Sequence, residues 1–474
     1  MKIRRRGPQS LKFYKMQIKR EKFIILAAAF ALSFLLYSNS INGDFVSDDK
    51  LIILQNPLVS GNFSDFFKTF SNPYYYNQPH AGLYRPLTVA SYNLNRIFGS
   101  GTFSFHLLNI ILNAVNCFLV FLLVFKIVNK RAAYLAAALF MFLPIHSEAV
   151  SAIVGRAELL SFLFAILSLL FVLDKKYAWA SIALLAGLLS KETAAGFFLA
   201  FLYVWKFQEH KTLRQVFYSS LYFVPSIAIY AIMRASVLGK YFVSVEHLMA
   251  YNPLRFAPFF QSLWTSLKVF YLYLLKTIAP YQLSHDYSFD QIPLIQNPFL
   301  HYEVYLGGAV LAGLVYIMFK KRGSVYGLSA AMFLLTYLPV SNWLVKIGTI
   351  MGERLMYAPS LGLVMLLASI LNFKFSIFNQ NSRFKILNSR TIYYLLLSTL
   401  FVWYGYLIID RNRDWLNNRN LYESAYAETP NSVVNKTNKA YLDFIAGDYG
   451  KAESRLNEIL KEAPDHIPTL NLAG

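Results

Sequence analysis

Six short stretches of this sequence carry groups able to move a proton or hold a phosphate. The first, "GDFVSDDK", follows an apolar run and contains Asp44 and the adjacent pair Asp48 and Asp49. Neighbouring carboxylates repel, so a partly desolvated pair holds one proton acceptor at a raised pKa; a solvated loop is the plainer alternative. "HSEAVSAIVGRAE" brings His146, Glu148, Arg156 and Glu158. If that stretch is one helix, Glu148 and Arg156 lie two turns apart on roughly the same side and form a local ion pair. His146 and Glu148 hint at a metal, but no third ligand stands nearby at a recognised spacing. "SKETA" joins Lys191 to Glu192; the two either neutralise each other or leave Lys191 facing an anionic lipid head group. "MGERL" sets Glu353 and Arg354 at the mouth of an apolar run, where a snorkelling arginine is the ordinary explanation. "LYRPL" adds Arg85, and "SHDYS" adds His285 and Asp286.

Together these groups suit one kind of chemistry. Moving a sugar from a lipid-linked phosphate to an alcohol needs a carboxylate to take the alcohol proton. It needs cations to stabilise the departing phosphate. It also needs a place at the membrane edge, where a lipid tail stays in hydrocarbon while the acceptor arrives from water. Ionisable groups at such an edge are costly and are functional candidates by default.

The elements that would position them are membrane helices. Hydrophobic residues make up 56% of the 474, and charged residues only 15%, where a soluble domain carries roughly a quarter. Aromatics reach 17%, as lipid-facing and interfacial surfaces require. The net charge of +20 does not indicate nucleic acid, because nine of the Lys and Arg residues fall in the first 22 and others gather in short loops. The first apolar run is long and lacks a small-residue cleavage site, so it is not a cleaved signal peptide. The single cysteine, Cys117, excludes an intramolecular disulfide framework or a cysteine-based zinc site.

Apolar runs at 23–40, 104–126, 132–147, 157–173, 177–190, 194–207, 214–233, 303–319, 325–343, 356–371 and 391–409 give about eleven candidate spans. The basic loops at 126–131, 174–176, 206–214, 320–322 and 372–390 alternate with them, which sets the basic N-terminus on the cytoplasmic side. The run at 256–280 would reverse every later loop if it crossed, so it is expected to be an interfacial or re-entrant helix on the outer face. The runs at 177–190 and 194–207 are short enough to form a re-entrant hairpin instead, with no change of parity. All six chemical stretches then share the outer compartment, "SKETA" among them if its two flanking runs span.

From Asp410 the apolar runs stop. Ala440, Gly447, Tyr449, Ala452 and Pro464 fit the spacing of a 34-residue tetratricopeptide repeat (TPR). One and a half repeats cannot bury their apolar faces alone, so the reading is a truncated array or a repeat docked elsewhere. Such arrays bind extended peptide segments, which makes a protein acceptor plausible.

In order, "GDFVSDD", "YRPL", "HSEAVSAIVGRAELLS", "LLSKE", "GERLMYAPS" and the repeat-bearing tail resemble the transmembrane and tetratricopeptide-repeat (TMTC-type) protein O-mannosyltransferases. The resemblance implies an all-α polytopic GT-C glycosyltransferase fold with interfacial helices and a C-terminal TPR segment. It divides the chain into a basic cytoplasmic N-terminus (1–22), a catalytic membrane domain (23–409) and an extracytoplasmic helical region (410–474). It implies inverting transfer of mannose from dolichyl- or polyprenyl-phosphate mannose to Ser or Thr of proteins, with no metal required by the motifs. Asp48 and Asp49 match the family's acidic pair, Asp48 being chosen as the base. Arg156, Lys191 and Arg354 are carried over as donor-phosphate contacts. The implied partners are the bilayer, the lipid-linked donor and a protein acceptor, in a bacterial inner membrane or endoplasmic reticulum membrane, with the site on the periplasmic or lumenal side. Family members usually carry long repeat arrays, so acceptor recognition is the part on which this chain departs. A non-catalytic TPR scaffold, or a GT-C transferase acting on a lipid or polysaccharide, stand as alternatives.

Overall fold

The computed structural model describes residues 8–99, 101–242, 250–378 and 389–473. Residues 1–7 of the basic N-terminus and most of the basic loop at 372–390 lie outside the described residues. Every regular element among the described residues is helical. The first long helix, α1 (Pro8–Tyr37), leads into an irregular loop holding α2 (Phe63–Lys68) and α3 (Pro86–Phe98). Then come α4 (Thr102–Ile127), α5 (Lys130–Met141), the short α6 (Ser147–Ser151) and α7 (Arg156–Leu173). A hairpin of α8 (Tyr177–Ser190) and α9 (Ala195–Tyr203) follows, then the bent pair α10 (Leu213–Leu221) and α11 (Val224–Leu238). The second half holds α12 (Phe259–Ile278), α13 (Tyr302–Lys320), α14 (Val325–Tyr337), α15 (Ser360–Phe378) and α16 (Ser389–Arg411).

Five segments have the length and apolar composition to cross a bilayer, or seven if the two bent pairs each count as one span. Three shorter apolar helices lie at 177–190, 325–340 and 360–372. The count by length falls below the eleven expected because several runs break or bend: α5 is turned 55° from the 144–151 segment, and α10 50° from the helix that follows it. In α4 and α7, 67% of the apolar window is buried, against 17% in α13 and α16. The first two therefore form the middle of the bundle, and the other two keep apolar sides free for lipid.

The helix ends sort by charge. At one end Lys130 pairs with Glu21, Lys126 with Asp174, and Gln208 donates to the Arg322 carbonyl. These are the basic loops that the alternation placed together. The other end gathers all six chemical stretches. Helix α12 lies across that end: Ser262 meets Lys346, Phe270 packs on Phe333, Tyr337 and Trp343, and Tyr404 donates to the Ile278 carbonyl. It also packs on α13, where Lys268 pairs with Glu303 and Tyr271 meets Tyr302.

The tail comprises α17 (Asn418–Glu428), α18 (Val433–Ile445), α19 (Tyr449–Glu462) and α20 (Ile467–Ala473). Helices α18 and α19 pack as a pair, with Ala440 and Ala452 buried and Gly447 turning the chain at φ +84°. The pair does not stand free. Val433, Ile459 and Ala463 bury against Ala250 and Phe289, and Ser432 donates to Asp286 at 2.6 Å.

Candidate functional site

The loop after α1 separates its two adjacent acids. Ser47 adopts a left-handed conformation (φ +49°), uncommon for a residue with a Cβ and often found at functional sites. The Asn418 side chain accepts its backbone N–H at 2.9 Å. That turn sends Asp49 inward, where it is fully buried and accepts from the backbone N–H groups of Val46 (3.0 Å) and Val154 (2.9 Å). Asp48 stays half-buried, and its carboxylate has no hydrogen-bond or ion-pair partner among the described residues. Asp44 is exposed and contributes only its backbone, donating to the Leu416 carbonyl.

Phenols from three outer segments lie within electrostatic reach of Asp48. Burial pushes the pKa of Tyr74, Tyr251 and Tyr422 up to about 12, and that of Tyr75 well above 10.0; the Asp48 charge adds to every one of these rises. Arg354 lies within electrostatic reach of the same acid. Its guanidinium is held protonated first by Glu148 and further by Asp48.

Three ion pairs stand around this centre, and none joins neighbours in sequence. Arg354 donates through its side chain and backbone (2.8 Å) to the buried Glu148, with a third of its own side chain exposed. Arg85 forms a two-point pair with Glu192 (2.6 and 3.0 Å) and lies over the Tyr74 ring. Lys191 pairs with Glu158, both nearly closed to solvent. Burial lowers the Lys191 pKa, with Arg85 and Arg354 adding to the fall and Glu158 and Glu192 opposing it, so these charges sense one another across a single site. Arg85 drives the Glu192 carboxyl well below the usual carboxylate range, against the pull of burial.

Two expectations about this cluster are corrected. Glu148 does not pair with Arg156, because "HSEAVSAIVGRAE" is not one helix: it breaks at Ala152 (φ −70°, ψ 129°) and folds back. A Cβ on Gly155 would lie 2.3 Å from the Ala149 carbonyl oxygen, so only glycine permits that return. Lys191 and Glu192 do not neutralise each other; each has taken a partner from another segment.

Arg156 stands apart from the phosphate-binding role expected of it. It is fully buried, stacked on Tyr92 and Phe105, and donates to Asn109 (2.9 Å), Asn95 (2.9 Å), the Phe105 carbonyl (3.0 Å) and the Ser91 carbonyl (3.3 Å). It ties α3, α4 and α7 together beneath Asp49. Arg156→Met should lower stability by about 3 kcal/mol or more, since each buried acceptor left unpaired costs ~1–3 kcal/mol. Thermal unfolding in detergent reads this out; a raised donor KM at unchanged Tm would instead mark a donor contact.

The remaining candidates lie at the margins. His146 is buried against Phe140 and Tyr357, its Nε2 2.9 Å from the Ser360 hydroxyl. Asp286 accepts from Ser288 and Ser432 and clamps the tail. His285 is half-buried between Trp415 and Tyr422, and burial lowers its pKa. Glu353 is fully buried, accepts from the Ser284 N–H (2.6 Å) and the Tyr287 hydroxyl (2.5 Å), and has Arg411 3.7 Å away. Burial pushes its pKa up to about 7, against the pull of Arg411. No group of three His, Cys, Asp or Glu side chains placed for a metal ion occurs among the described residues.

Asp49 carries a pH signature. Burial raises its pKa from 3.8 to about 7, outweighing its two hydrogen bonds. Between those values the folded protein keeps a proton that the unfolded chain releases, so this group's stabilising contribution falls as pH rises through the window and levels off above it. Asp49→Asn should flatten that fall in Tm. It should also lower Tm throughout, because its amide –NH2 opposes one of the two backbone donors.

The sequence reading missed several residues that build the site. Tyr74 and Tyr75 were visible as part of an aromatic run, and Asn109, Asn113 and Asn116 as a polar stripe at helical spacing on an apolar helix. Asn109 donates to the carbonyls around the Ala152 break, while Asn113 and Asn116 hydrogen-bond the Tyr357 hydroxyl.

No family profile matches the chain. It is 27% identical over 445 residues to a protein O-mannosyl-transferase of Caenorhabditis elegans, covering 89% of this chain and 59% of that protein. It is 28% identical over 447 residues to human protein O-mannosyl-transferase TMTC3, covering 84% of this chain and 47% of that one. A 185-residue stretch, 35% of this chain and 20% of its counterpart, is 36% identical to Tmtc2 of Drosophila melanogaster. The chain thus spans about half the length of the curated relatives it matches. Among solved structures, the oligosaccharyltransferase of Archaeoglobus fulgidus aligns with 93% of this chain and 59% of its own, at 15% identity and a TM-score of 0.48.

Proposed function

On the premise that the chain resembles the TMTC-type protein O-mannosyl-transferases over most of its length, we propose that it is a membrane glycosyltransferase of GT-C type. It takes a sugar, mannose in the closest analogy to those relatives, from a polyprenyl- or dolichyl-phosphate donor and places it on Ser or Thr hydroxyls of a protein. One observation carries this reading: Asp48, whose carboxylate has no partner among the described residues, lies within electrostatic reach of a paired but partly exposed Arg354 at the end of the bundle opposite the basic loops. In the reaction Asp48 accepts the proton of the acceptor hydroxyl as its oxygen attacks the anomeric carbon. The bond from that carbon to the phosphate oxygen breaks on the opposite face, which inverts the centre. The electron pair leaves on the phosphate, where Arg354 offsets the added charge. Arg85 and Lys191, each neutralised by a carboxylate from another segment, fix the walls of the site around Arg354. The tail, read as TPR-like, presents the acceptor.

The test is incubation of the purified chain with radiolabelled polyprenyl-phosphate sugars, followed by mass spectrometry of co-expressed proteins. Hexose on Ser or Thr from one donor supports the reading. Transfer only to lipid or polysaccharide keeps the fold and changes the acceptor. No transfer with any donor favours a scaffold.

A further inference from the structure

A cavity lies at the other end of the molecule, among the basic loops. It has a volume of about 760 Å³. Lys126, Lys175 and Lys211 stand on its rim, above a floor that includes Ile127, Leu173 and Val204. A second cavity of about 440 Å³ shares Lys211 and adds Lys206 and Arg322.

Two of these cations are spoken for. Lys126 pairs with Asp174, and Lys211 with Glu209 (3.2 Å), while also donating to the Tyr177 and Ser219 hydroxyls. Lys175, Lys206 and Arg322 have no ion-pair partner among the described residues, although Arg322 lies over the Phe207 ring. The double cavity therefore keeps an excess of positive charge after both acids are counted.

Helix α10 fixes its depth. Gln215 and Ser219 lie four residues apart on its side facing the cavity, and Lys211 just precedes the helix at the same lining. Leu213, Phe217 and Leu221 form the opposite stripe and are exposed, Leu213 by 73%. A short helix with one polar and one bare apolar side suits the membrane interface. The cavity beside it then opens at the level of lipid head groups, with hydrocarbon against its floor.

We propose that this double cavity binds the phosphate head group of an anionic membrane phospholipid, separately from the outer acid site. The ligand has a phosphate for the unpaired cations and an apolar stem for the floor. The inference does not depend on the sugar-transfer reading. It is tested with the full chain in phosphatidylcholine nanodiscs containing a photoactivatable phosphatidic acid. Labelling should fall on the peptides carrying Lys175 and residues 206–219. It should weaken with salt and drop at least about tenfold in K175A/K206A/R322A, the scale expected from removing three surface cations. K175A alone, at an exposed turn, should show a smaller loss without any change in elution or Tm. Unchanged labelling in the triple variant, or labelling confined to other peptides, would overturn the proposal. So would full competition by millimolar inorganic phosphate, which would identify a soluble anion as the ligand.

Discussion

Asp48→Asn yields a protein that inserts, elutes and melts as the parent does, yet transfers sugar about 100-fold more slowly or worse, the scale of a lost general base. The expectation rests on the contrast between two adjacent acids. Asp48 is half-buried and its carboxylate makes no hydrogen bond or ion pair among the described residues, so losing its charge removes no such contact. Asp49 is enclosed and bridges the backbones of Val46 and Val154, so its replacement costs stability first. The radiolabel assay and a melting curve, run on both variants, separate the roles. Full activity in purified Asp48→Asn would remove that residue from the base position.

Arg354→Gln has the second largest effect, and it is a double one. Removing one preorganised charge-stabilising donor costs about 10²–10³ in kcat. The change also leaves Glu148, fully buried, without the cation that compensates it. Because Arg354 keeps a third of its side chain exposed, the loss of stability should stay below the ~3–5 kcal/mol of a fully buried pair broken on one side. Arg354→Lys keeps a charge for Glu148 but not the planar fork. It should restore most of Tm and only part of kcat. If Tm and kcat recover in the same proportion, Arg354 acts through folding and not at the phosphate.

Much of the helical layout was legible because apolar runs and basic loops are local signals. The loop charges argued for α12 as an interfacial helix, and its contacts are with Lys346, Trp343 and Tyr404 as well as with α13. The partners of the charged residues were not legible. Arg354 and Glu148 are 206 residues apart, and Arg85 and Glu192 are 107 apart; no periodicity encodes such meetings. "HSEAVSAIVGRAE" reads as helix by composition, yet it breaks because Asn109 on another helix satisfies the freed carbonyls and Gly155 lets the turn close. The split between Asp48 and Asp49 hangs on the backbone of Ser47, a residue type with no preference for that conformation.

Ser47 has a further consequence. Its turn is held by Asn418, the first residue of α17, while Val46 and Ala152 bury against Trp415 and Leu421. The acid and the segment thought to carry the acceptor are therefore one piece of architecture. A chain cut just before Asn418 would strip Leu421 from the apolar cluster of Val46, Ala152 and Trp415 and release the turn that divides the two acids. Silence from such a fragment would report a collapsed loop, and catalysis has to be measured with the tail attached.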